Sequence, residues 1–216
     1  MNALVYILFS MIDGMAIFFF AFGFFRIKIV DYWKEIIITN IVISIGTYFY
    51  SENIILSNLS PLLNLIIFMA ALLFFFRISL FSSFRIAGLG FLAQTLILGL
   101  VISVSCLALN INLNELKSND YIKYPVQVIG DIGTIALSLF LRKKRIWMTN
   151  LPYSYSFKFK PSRPNMLIFI ATILGIFVIS KASSIDNIYT GLLFWLICLI
   201  NLLFMEVKKE MRGEID

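Results

Sequence analysis

The chain has 216 residues, of which 60% are hydrophobic, 16% aromatic and only 14% charged, and its mean hydropathy is +0.92. Water-soluble domains carry about 25% charged residues, so the composition argues against an ordinary soluble domain and for an all-α integral membrane protein. Lysine plus arginine outnumber aspartate plus glutamate by 18 to 12, yet they are not gathered on a polar domain that would bind nucleic acid, and the absence of histidine excludes Ser-His and Cys-His catalysis, His-based zinc sites, axial His haem ligation and a phospho-accepting histidine.

The first apolar run covers residues 3–25, and its 23 residues reach about 34 Å as a helix, enough to cross a bilayer core of about 30 Å. No basic residue precedes Arg26, so the run reads as a retained first helix and not as a cleaved signal peptide. Asp13 lies near its middle, where a charge costs at least about 2.5 to 3.5 kcal/mol. It is therefore a candidate site residue, with an interhelical hydrogen bond as the competing role. The second run, 36–50, carries Asn40, Ser44 and Thr47 on one helical face, and the third, 59–76, carries Asn64. The fourth, 80–109, places Gln94 at membrane depth beside a stripe of Thr95, Gly99 and Ser103. Small residues spaced in this way are explained mostly by close helix packing.

The fifth run, 124–141, has the clearest pattern. Gln127, Gly130, Asp131, Thr134 and Ser138 recur at three- and four-residue steps and form one polar stripe facing a packed interface or a hydrated cavity. A basic connection of residues 142–165 follows, in which Arg142, Lys143, Lys144, Arg145, Lys158, Lys160 and Arg163 alternate with aromatic residues, suiting anionic lipid or a cytoplasmic partner better than nucleic acid. Runs at 166–180 and 187–205 complete seven candidate spans in one domain, 1–216, although 36–50 and 166–180 are short for a full crossing. If the second and third runs formed a re-entrant pair, five spans would remain. Cys106 and Cys198 lie inside apolar runs and read as packing residues.

Orientation follows from the basic residues. With the N-terminus outside, fifteen of the eighteen fall inside, including Arg26, Lys28, Lys34, Arg77 and Arg85; only Lys117, Lys123 and Lys181 fall outside. The positive-inside bias thus predicts an outer N-terminus and an inner C-terminus in the plasma membrane. The outer connections, 51–58 and 110–123, are short, so an external ligand would be recognised by helices and caps together. The chain lacks G-x-x-x-x-G-K-[ST], G-x-S-x-G, H-E-x-x-H and C-x-x-C, and no enzymatic activity, metal or cofactor is expected.

The opening ALVYILFSMIDGMAIFFFAFGFFRIKIVDYWK, with a mid-helix acid and an inner Arg/Lys/Trp cap, together with six or seven spans and short outer caps, resembles the membrane sensor half of Agr-type (accessory gene regulator) quorum-sensing receptor histidine kinases of Gram-positive bacteria. The resemblance is one of architecture and texture across the chain. It implies binding of a small secreted peptide from outside and signalling through the last helix. Past the seventh run the sequence reads only EVKKEMRGEID, without a kinase domain.

The leading expectation is therefore a non-enzymatic receptor or regulator. Asp13, Asn40, Asn64, Gln94, Gln127, Asp131 and Thr134 would line a ligand pocket or switchable interface, and the partners would be membrane lipid, a small peptide and a kinase or other membrane protein. The alternatives are a binding subunit of a small-molecule transporter and a membrane immunity or scaffold protein.

Overall fold

The computed structural model describes residues 3–51 and 53–144, with isolated positions at 166, 170, 192, 196, 197, 199, 200, 203 and 204. Among the described residues the architecture is all-helical. Helix α1 spans Ala3–Phe24; a single 3-10 turn, Ile29–Tyr32, leads into α2, Trp33–Ser51; α3 spans Ile54–Phe74, α4 Leu80–Leu109, α5 Leu113–Ser118 and α6 Asp120–Lys143. Three stretches among the described residues are long and apolar enough to cross a membrane: α1, Ser82–Leu109 within α4, and α6. Five expected runs coincide with α1, α2, α3, α4 and α6, and the short second run is extended by flanking residues to 19. The runs 166–180 and 187–205 lie outside the described residues apart from the isolated positions.

The long helices alternate in direction. Tyr6 meets Tyr48 and Asn40 bonds to Met11, so α1 and α2 are antiparallel. Phe9 stacks on Tyr124 at 4.2 Å while Ser138 Oγ donates to the Phe19 carbonyl at 2.8 Å, so α1 and α6 run parallel. Helix α1 packs against α2, α4 and α6, and α3 fits between α2 and α4. This central place buries the second half of α1, from Gly14 to Phe24, on most sides, whereas Leu4, Leu8 and Ile12 of its first half are exposed. Gly90 lets α4 approach Ile17 and Ala21, where an added Cβ would lie 3.1 Å from both side chains.

Aromatic packing fills the half of the bundle toward the C-terminal end of α1. Phe18 meets Phe68 edge-on at 4.5 Å, Phe22 meets Phe76 at 5.2 Å, and Tyr32 closes over Phe76 at 5.2 Å. Leu199 and Leu203 pack against the same core.

The helix ends are set by local chemistry. Both α1 and α3 end in Phe-Phe-Arg-Ile, and Arg26 and Arg77 take left-handed conformations, with φ of 57° and 52°. The following Ile27 N–H then turns back to the Phe22 carbonyl at 2.9 Å, and Ile78 N–H to Leu72 at 3.1 Å. These bonds satisfy carbonyls that the helix itself leaves open. Ser79 caps α4 and Asn119 caps α6, and Asn112 with Glu115 forms the capping box of α5. Arg85 lies within α4, inside the expected fourth run, and is only 3% exposed, close in sequence to the buried Ser79, Ser82 and Ser83.

Candidate functional site

Three helices meet through one amide. Asp13 comes from α1, Gln94 from α4 and Asp131 from α6, each near the middle of its helix. The two N–H groups of a carboxamide nitrogen can serve two acceptors. Here Gln94 Nε2 donates to Asp13 Oδ1 at 2.7 Å and also to Asp131 Oδ1. Asp131 is 1% exposed and Gln94 4%, whereas Asp13 is partly buried.

The hydrogen bonding of this node is incomplete. Asp131 Oδ2 and Gln94 Oε1 are buried and receive no N–H or hydroxyl donor, while the Asp13 and Asp131 carboxyl groups lie within hydrogen-bonding reach of one another. An acid proton shared between the two carboxyls would serve one of these acceptors, and an acceptor left unpaired costs about 1 to 3 kcal/mol.

Asn40 sits beside this node without joining it. Its Nδ2 donates to the Met11 carbonyl at 3.3 Å, and its Oδ1, also unpaired, lies where a Cβ on Gly14 would be. One turn along α2, Ser44 Oγ is likewise buried without a partner. Asn64 belongs to a separate clip between α3 and α2, in which its Nδ2 donates to Thr47 Oγ1 at 2.9 Å. Thr134 is fully buried, but its hydroxyl donates to the Gly130 carbonyl of its own helix at 3.0 Å. Gln127 is partly buried on α6, one turn before Asp131.

The structure thus gathers Asp13, Gln94 and Asp131 at one point, places Asn40 of α2 against the neighbouring face of α1, and ties Asn64 and Thr134 into local hydrogen bonds. The α6 stripe is an interface: Gly130, Asp131, Thr134 and Ser138 are all buried, and Ser138 is tied to α1. Arg142, Lys143 and Lys144 are exposed at the end of α6, while Arg145, Lys158, Lys160 and Arg163 lie outside the described residues.

One feature has a sequence signal that composition and hydropathy pass over. The Phe-Phe-Arg-Ile repeat marks both left-handed helix ends. Gln94 owes its central role to depth, since it lies midway along α4 as Asp13 and Asp131 do along their helices. No protein-family model matches the chain, and comparisons with curated proteins and with solved structures return no match.

Proposed function

We propose that this chain is a non-enzymatic, multi-pass receptor or regulator of the plasma membrane, with about seven spans, an outer N-terminus and an inner C-terminus. It senses a small secreted peptide and signals to a cytoplasmic or membrane partner such as a kinase. The observation that carries the reading is the Gln94 amide joining Asp13 and Asp131 across three helices.

Interhelical hydrogen bonds in membranes are worth about 0.6 to 2 kcal/mol each, and couplings between ligand and conformation are typically about 1 to 3 kcal/mol. Making or breaking this bridge is therefore on the scale needed to shift a bundle between two helix arrangements. The near-complete burial of Gln94 and Asp131 favours an interface that rearranges over the wall of an open solute path. The likeness to Agr-type sensors supports a peptide as the ligand, and the cluster of Arg26, Lys28, Arg142, Lys143 and Lys144 near the C-terminal ends of α1 and α6 supports an inner location for that end.

The test is native mass spectrometry of the protein in nanodiscs exposed to the peptide fraction of its own culture's spent medium. Wild type is expected to retain a peptide that Asp131→Leu loses, with both proteins accumulating and melting cooperatively. Retention of a vitamin-sized solute would assign a transport component instead. If Asp131→Leu does not accumulate, Gln94→Leu serves as the second variant, and unchanged peptide retention in it overturns the switch.

A further inference from the structure

The node of Asp13, Gln94 and Asp131 brings two acids together between three helices. The nearest basic residues along those helices, Arg85 and Lys123, are nine residues from Gln94 and eight from Asp131, about 12 Å or more along the helix axis. Among the described residues, the groups that act on the two carboxyls are each other and the Gln94 amide. We infer that the node binds one sodium-sized monovalent cation, held by Asp13, Asp131 and Gln94 Oε1.

The charge of the node calls for a cation. Two carboxylates in contact in a buried site repel one another strongly unless a positive charge lies between them. A shared acid proton is one such charge. A metal cation entering in its place releases that proton to solvent and leaves the net charge of the node unchanged. The proton serves only one of the two acceptors that receive no donor, Asp131 Oδ2 and Gln94 Oε1, whereas a hard cation is bound by several oxygens at once.

The oxygens are already gathered. The oxygen and nitrogen of one amide are about 2.2 Å apart, and Gln94 Nε2 bonds to both acids, so Oε1 of this 4% exposed side chain lies within about 5 Å of Oδ1 of each. Half a turn of the amide about its last bond exchanges the two atoms. The same group then offers N–H donors to the acids when no ion is bound and a carbonyl oxygen to the ion when one is.

Packing and ligand number fix the kind of ion. Calcium takes about six to eight oxygen ligands and magnesium a near-ideal octahedron, more oxygens than these three side chains carry. An organic cation does not fit the approach of α4 and α6, where a Cβ on Gly130, next to Asp131, would lie 2.9 Å from Leu98, one turn after Gln94. In the membrane-spanning arrangement proposed above, ionisable residues at this depth are those that mark ion sites. The inference goes beyond the peptide reading and does not depend on it.

Thermal melts of the purified protein in detergent, without any peptide and read by helical circular dichroism, test the inference. Sodium chloride is exchanged for choline chloride at constant ionic strength, with potassium chloride in parallel and Asp131→Asn as the variant. Sodium at about tenfold its Kd is expected to raise the melting temperature of the wild type by about 3 to 6 °C, saturably, with a smaller shift for potassium and none for the variant. An equal shift in wild type and variant, or no saturable shift in the wild type, overturns the site. An equal shift with potassium overturns the size assignment. If Asp131→Asn does not purify, Gln94→Leu takes its place. Equilibrium dialysis of the wild type against radioactive sodium needs no variant: one saturable sodium per chain is expected, and none overturns the inference.

Discussion

Asn40 shows how closely single atoms are placed around the polar node. Its carboxamide sits against Gly14, and its position is fixed by one bond to the Met11 carbonyl. A methyl group at Gly14 would occupy the space of Asn40 Oδ1, and overpacking of this kind costs about 1 to 3 kcal/mol. Gly14→Ala should therefore lower the melting temperature in detergent, as read by the loss of helical circular dichroism. Gly46→Ala should be nearly neutral, since the nearest atoms to its added methyl belong to the ring end of Tyr50 at 3.3 Å or more. Equal effects at the two glycines would refute the close fit of α1 and α2 at Asn40. These relations are only partly legible in the sequence. Asp13 and Asp131 announce themselves because an acid within an apolar run is costly, and the stripe around Asp131 follows from helical spacing. Gln94 is legible as a polar group at membrane depth, but its two partners lie 81 and 37 residues away, and periodicity within one helix cannot specify which neighbour a side chain meets. Asn64 and Thr134 resemble the node residues in sequence, yet their hydrogen bonds close on Thr47 and Gly130.

At the level of elements, each helix of the pair α1 and α3 stops at an arginine held at positive φ. A side chain in that region costs about 1 to 2 kcal/mol, which glycine avoids. Arg77 is exposed, so Arg77→Gly should leave packing intact and raise the melting temperature, while the β-branched Arg77→Val should lower it. A thermal melt of the three proteins checks the order, and a drop for the glycine variant would show that the Arg77 side chain contributes more than its backbone costs. The helices themselves are largely readable: the five runs within the described residues each correspond to a helix, because uninterrupted apolar residues in a bilayer can satisfy their backbones only by helix formation. The ends are less so. Hydropathy closes the third run at residue 76, two residues beyond the end of α3, because Phe75 and Phe76 continue the apolar pattern through the turn.

Across the whole molecule, the parallel course of α1 and α6 brings their basic C-terminal ends to one side, and α5 to the other. If the outer N-terminus of the proposal is right, Lys28→Cys should react with a membrane-impermeant maleimide only after cells are opened, and Asn114→Cys in intact cells, on a background lacking Cys106 and Cys198. The reverse pattern would invert the topology. The central position of α1 also has a consequence for biosynthesis. Asp13 is translated 81 residues before Gln94, the amide that receives it. At about 5 to 20 residues per second that is an interval of about 4 to 16 s. During it the first helix carries an acid whose insertion alone costs about 2.5 to 3.5 kcal/mol. In the membrane-spanning arrangement proposed above, the nascent chain must therefore keep its opening segment near the translocation machinery, or rely on the surrounding phenylalanines to hold it in the lipid, until the fourth helix arrives.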